Sequence, residues 1–205
     1  CSSISGSLEL YNYIESIGES AFEGCSKLDD LVLSTSLKKI QDRTFFNCSG
    51  FKDTLRISDQ VTEIGIFAFA FCSGFNQLIL SNSLTEIKNF TFYMCSGFKG
   101  HLNLSSQITS IGKFAFANCF GFDKLTLSSS LKTIGEGAFF NCSGFKGTLN
   151  LPSQITEINN KTFYNCTGFN GSLIIPNNVV LVGNKAFAFC SGFDKFVQSS
   201  IKIVG

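Results

Sequence analysis

The sequence predicts a solenoid, a curved right-handed superhelix of stacked short repeats. A parallel β-sheet of short strands is expected on its concave face, and helical or 3-10 turns on its convex face. Two observations carry this expectation. The cysteines stand at Cys1, Cys25, Cys48, Cys72, Cys95, Cys119, Cys142, Cys166 and Cys190, spaced 23 or 24 residues apart. Most of the 24 phenylalanines keep the same rhythm. Self-similarity at such a period is the mark of a repeat architecture.

Each element of the repeat follows from the unit that begins at Cys119. Leu125-Thr126-Leu127 alternates apolar and polar, so both leucines face inward from a short strand. Leu8/Leu10, Leu31/Leu33, Leu55/Ile57, Leu78/Leu80, Leu102/Leu104, Leu149/Leu151 and Leu173/Ile175 repeat that step. Next comes an apolar pair three residues apart, Leu131 and Ile134, followed by Gly135. Gly recurs there at Gly18, Gly65 and Gly112, which suits a sharp bend with positive φ, although Gln41, Lys88 and Asn159 replace it in other units. The unit closes on Ala138-Phe139 with Cys142 three residues later, a spacing that places Phe and Cys on one side of a helical turn. The longer units carry one extra residue before the strand. Phe98-Lys-Gly-His-Leu102 against Phe122-Asp-Lys-Leu125 shows it, and a corner loop should absorb it.

A unit of this size cannot bury its own apolar positions, but stacked units bury Leu over Leu and Phe over Phe. Eight phenylalanines occupy the Ala/Thr-Phe site three residues before Cys and seven stand three after Cys, so fifteen are expected inside. Residues 1–205 are therefore one array of about nine leucine-rich repeats of 23 or 24 residues. With parallel strands about 4.8 Å apart, the slab is on the order of 40 Å long. Cys1 and Ile201 to Gly205 fall in mid-repeat, so the array is expected to be a segment of a longer one, or one whose ends associate.

The string Ile-x-x-Ile-Gly-x-x-Ala-Phe-x-x-Cys-Ser-x-Leu at Ile14 to Leu28 resembles the BspA-like leucine-rich repeat family, as does Leu-Pro-Ser-Gln-Ile-Thr-Glu-Ile at 151–158. The resemblance spans the chain. It departs in using Phe where Leu is usual after Cys, and in having Pro only at Pro152 and Pro176. It implies a cell-surface or extracellular adhesin-like protein that binds host, matrix or neighbouring-cell proteins. It implies no catalytic motif.

Composition narrows the function. Net charge is +1, without the basic run that nucleic acid or an anionic membrane surface would attract. No apolar stretch approaches the roughly 18 residues of a membrane span. The single His101 has no sequence-adjacent catalytic partner, Glu63, Glu86 and Glu157 recur at one repeat position as a solvated stripe, and neither a phosphate-cradling loop nor a Cys-x-x-Cys is present. The expectation is a non-enzyme without cofactor or metal. It would bind a protein or glycan, assemble with itself through the repeat ends, or serve as a spacer.

Candidate binding residues are the strand positions that point away from the leucines: Arg56, Ile79, His101, Asn103, Lys124 and Thr126. On the turn side Phe67, Phe71, Phe90, Tyr93, Met94, Phe114 and Phe120 replace residues that are small or polar in many other units. They form an apolar patch if exposed and widen the core if they fold under the turns. Sequons occur at Asn47, Asn89, Asn103, Asn141, Asn160, Asn165 and Asn170, either as turn-bonding asparagines or as glycan acceptors in a eukaryotic secreted protein. The cysteines are expected to form a ladder of nine buried free thiols, since parallel neighbours suit poorly the angled geometry of a disulfide.

Overall fold

The computed structural model describes residues 3–197. Expectations resting on Cys1 and on residues 201–205 lie outside them. Leu-x-Leu steps form one ladder of parallel strands: β1 (Gly6–Glu9), β3 (Leu28–Val32), β5 (Thr54–Arg56), β7 (Gln77–Ile79), β9 (Gly100–Asn103), β11 (Phe122–Thr126), β13 (Leu149–Asn150), β15 (Ser172–Ile174) and β17 (Lys195–Val197). A second ladder of two-residue strands ends on the repeated Ile or Val: β2 (Ser16–Ile17), β4 (Lys39–Ile40), β6 (Glu63–Ile64), β8 (Glu86–Ile87), β10 (Ser110–Ile111), β12 (Thr133–Ile134), β14 (Glu157–Ile158) and β16 (Leu181–Val182). The fold is thus a parallel-strand solenoid of about eight turns, with a second ladder beyond the single sheet expected.

The first ladder is not continuous. Hydrogen-bonded pairing joins β1 to β3, β5 to β7, β9 to β11, and β13 to β15 to β17, and stops between these groups. The residue that lengthens alternate units explains the pattern. It is Gly6, Asp53, Gly100 or Gly147, and each takes a left-handed φ of 59° to 95°. That kink re-aims the strand it precedes, which then pairs forward and not back. The register shifts between Gly6 and Ser7 and between Phe122 and Lys124 mark the same accommodation within pairs.

The turn side differs from expectation: among the described residues it contains no α- or 3-10 helix. Each rung instead runs through two or three overlapping turns. Cys119 N–H donates to Phe116, Ala117 N–H to Phe114, while Phe114, Phe116 and Asn118 N–H reach across to Glu136, Ala138 and Phe140 of the next rung. Alternate amides therefore bond within the rung and between rungs. A helix would turn all of them inward, leaving neighbouring rungs unjoined on this side. Two left-handed residues four apart make the path possible, as at Phe114 and Asn118 or Arg43 and Asn47.

The interior holds two stacks of phenylalanine. Phe22, Phe45, Phe69, Phe92, Phe116, Phe139, Phe163 and Phe187 stack at centroid separations of 5.2–5.8 Å. The stack from Phe51 to Phe193 has separations of 5.1–6.2 Å. Twelve of these rings are the largest fully buried side chains, while Phe22, Phe187 and Phe193, nearer the ends, are partly buried.

Glycine serves close approach where positive φ was expected. Gly65 and Gly112 are not left-handed. A Cβ on either would stand 2.4 or 2.5 Å from the main-chain nitrogen of Asp42 or Asn89 in the preceding rung. The second repeated glycine is tighter still, with a Cβ on Gly97 falling 2.1 Å from the Ser73 carbonyl oxygen.

Seven cysteines, from Cys48 to Cys190, are free thiols. Cys25 is disulfide-bonded, which corrects the expectation of nine reduced residues. Each free thiol donates to the carbonyl of the preceding rung's phenylalanine at 2.9–3.1 Å, as Cys119 does to Phe92 and Cys142 to Phe116. Burial pushes Cys142 up to about 12 and Cys72, Cys95 and Cys119 well above the usual thiol value.

Candidate functional site

The strand face positions the expected binding residues in two register-matched groups. Strand alternation turns Leu55, Leu78, Leu102 and Leu125 inward, so their neighbours point to solvent. Arg56 lies beside Ile79 in the β5–β7 pair. His101 lies beside Lys124, and Asn103 beside Thr126, in the β9–β11 pair. All but the half-buried Ile79 are exposed. The His101 Nε2 and Thr126 Oγ1 are 2.8 Å apart, tying β9 to β11 on the outer face.

Where the ladder breaks, the face opens into clefts. One of about 280 Å³ lies between β7 and β9, and Gln77, Ile79, Asn82, His101 and Asn103 stand around it. A second of about 240 Å³ lies between β11 and β13, bounded by Leu125, Thr126, Leu127, Thr148 and Asn150. Sequence spacing found the residues but not the clefts. The signal for those was the extra residue at Gly100 and Gly147.

The turn-side aromatics lie between the two alternatives left open by the sequence. Phe67, Phe71, Phe90, Tyr93, Met94 and Phe114 are half-buried, and Phe120 is 44% exposed. The rings pack on one another outside the core: Phe67 on Phe90 at 4.6 Å, Phe90 on Phe114 at 5.4 Å and Phe71 on Tyr93 at 5.4 Å. Phe46, Phe140 and Tyr164, which the sequence reading missed, lengthen this surface row. Their signal was the position directly after the core Phe. Phe67, Phe71, Phe90, Met94 and Phe114 all hold left-handed φ values of 51° to 63°. Bulky residues hold such angles at a cost of about 1–2 kcal/mol each.

The sequons divide by what their side chains do. Asn141 donates through Nδ2 to Asn118 at 2.9 Å and accepts from Asn165 Nδ2 at 2.7 Å, forming a half-buried amide ladder. Asn89, Asn160 and Asn170 use only Oδ1, each accepting a main-chain N–H from an adjacent rung, and are exposed. Asn47 and Asn103 are exposed as well.

Ionisable groups form a lateral network on the second ladder. Glu63 accepts from Lys88 and Lys39, and these bonds hold its carboxyl at about 2. Among the described residues no group of three His, Cys, Asp or Glu could hold a metal ion. No helix among them is long and apolar enough to cross a membrane.

The sequence matches the BspA type leucine-rich repeat region in six copies, over residues 1–119 and 91–205. The chain belongs to the BspA-type leucine-rich repeat family. Solved structures share its fold. The T. pallidum leucine-rich repeat protein TpLRR is 23% identical with a TM-score of 0.58, covering 83% of this chain and 70% of its own. The pneumococcal vaccine antigen PcpA is 18% identical with a TM-score of 0.61, covering 94% of this chain and 50% of its own. A leucine-rich repeat protein from Eubacterium ventriosum is 15% identical with a TM-score of 0.54, covering 92% of this chain and 65% of its own. This BspA-type chain thus spans half to about two thirds of these neighbours. The comparison with curated proteins returned no match.

Proposed function

We propose that this BspA-type array is a non-catalytic binding module of a cell-surface or secreted adhesin-like protein. Its strand face docks a partner macromolecule from a host, the matrix or a neighbouring cell. One observation carries the reading: β5 to β11 bring Arg56, Ile79, His101, Asn103, Lys124 and Thr126 onto one outward face, with a cleft between the pairs. That face offers donors, two cations and an apolar floor, the mix a protein interface uses. Asn89, Asn160 and Asn170 stand as candidate glycan positions if the source is eukaryotic.

The test is binding of the purified chain to arrays of extracellular proteins and of glycans. The wild type is compared with a variant carrying Arg56→Ala, Ile79→Ala, His101→Ala and Asn103→Ala. Ligands that the wild type captures and the folded variant loses support the reading. Equal capture by both removes it.

The turn-side row supports a second reading, in which the aromatics form the contact surface. The left-handed phenylalanines favour it, because strained backbone concentrates where function retains it.

A further inference from the structure

The two clefts of the strand face are equivalent sites. Ile79, His101 and Asn103 in the first correspond, 47 residues on, to Thr126, Thr148 and Asn150 at the second. Each opens at a break in the same ladder, and they share the wall formed by β9 and β11, whose His101–Thr126 contact joins one to the other. Two rungs separate them, so their centres repeat at about 10 Å along the solenoid axis.

That repeat selects a ligand geometry. A chain lying along the axis crosses the strands at right angles, so it cannot add to the sheet as a strand. Its side chains must recur at the cleft spacing. An extended β-strand presents one face every second residue, at about 6.8 Å, and misses it. A polyproline II helix presents one face every third residue, at about 9.3 Å, and fits. Its backbone carbonyls make no internal hydrogen bonds, so they are open to donors such as the Asn103 and Asn150 amides.

Charge narrows the ligand further. None of the residues lining either cleft is Asp or Glu. Arg56 stands on the strand before the first cleft and Lys124 on the strand after it, and neither takes part in an ion pair among the described residues.

Resting on the strand-face reading above, we infer that the two clefts bind an acidic, proline-rich segment of a partner protein in the polyproline II conformation. It runs along the solenoid axis, with every third side chain seated in a cleft.

Fluorescence polarisation with a labelled (Glu-Pro-Pro)4 peptide tests this. A (Glu-Gly-Gly)4 peptide of equal charge and a linear β-glucan oligosaccharide serve as competitors. The expected result is saturable binding of the proline peptide, with the glycine peptide at least tenfold weaker. Asn103→Ala with Asn150→Ala should lose at least fivefold. Arg56→Ala with Lys124→Ala should flatten the salt dependence, while circular dichroism shows both variants folded. Equal binding of the glycine peptide, binding indifferent to the cleft variants, no binding, or displacement only by the glucan would each overturn the inference. If these results appear while the array ligands still distinguish the four-site variant, the strand-face reading stands and only the ligand class falls.

Discussion

The Sγ of Cys119 donates to the main-chain carbonyl of Phe92, one rung earlier, at 3.1 Å. Phe92 also accepts the Cys95 N–H within its own rung, so one oxygen closes a turn and ties two rungs together. Cysteine fills the position because it is small, apolar and a weak donor. Cys119→Ala removes the tie and some buried volume. It should cost about 1–3 kcal/mol, read from the urea midpoint.

Thiol reactivity should follow depth in the ladder. Burial pushes Cys72, Cys95 and Cys119 well above the usual thiol value, whereas the neighbouring Cys166 draws the partly exposed Cys190 below it. Iodoacetamide on the native protein at pH 8 should therefore label Cys190 first, and the inner cysteines only on unfolding. Peptide mapping showing Cys95 or Cys119 labelled as fast as Cys190 would refute this.

The two kinds of phenylalanine should behave oppositely. Phe116 is fully buried and stacked on both neighbours, so Phe116→Ala should cost about 3–5 kcal/mol. At Phe67 two ring contacts, with Phe46 and Phe90, each worth about 0.5–1.5 kcal/mol, are largely offset by release from a left-handed φ of 57°. Phe67→Asn should therefore change stability by less than about 1 kcal/mol, checked by the same denaturation.

Two glycines three residues apart separate steric demand from conformational demand. Gly97→Ala drives a Cβ to 2.1 Å from the Ser73 oxygen and should disrupt the stack. Gly100 has φ +73° and open space around it, so Gly100→Ala should cost only about 1–2 kcal/mol. Thermal melts of both variants decide it.

Glu63 predicts an acid limb. Its carboxyl sits at about 2 when folded, below the 4.5 of an unperturbed group, so its stabilisation is complete above about pH 4.5 and is lost as pH falls towards 2. The side chain is 36% exposed, which keeps the effect below about 1 kcal/mol. Relative to Glu63→Gln, the wild type should be slightly more stable at pH 7, and the two should converge near pH 2.

Much of this was legible because stacking repeats each apolar demand at one position. The Leu-x-Leu step, the cysteine column and both phenylalanine columns could be read directly. The turns could not, because Phe116 and Cys119 keep the same three-residue spacing in a helix and in linked β-turns. Only tertiary bonding to Glu136 and Phe140 distinguishes them. The left-handed state of Phe67 and Phe90 was equally hidden, since φ is imposed there by rungs whose equivalents are Arg43, Gly137 and Lys161. Face membership of Arg56 to Thr126 was visible in the alternation. The clefts were not, because they arise from ladder breaks at the kinked Gly100 and Gly147.

The central claim is that matched side chains stack in register, with two rungs as the repeating unit. Excision separates this from simple chain length. Removing residues 96–142 joins Cys95 to Ser143 and preserves the alternation, whereas removing 96–119 joins Cys95 to Phe120 and sets β7 directly before β11. The account predicts that the pair deletion, though shorter, melts cooperatively at a higher temperature than the single-rung deletion. A single-rung deletion as stable as the pair deletion, or more so, would contradict it.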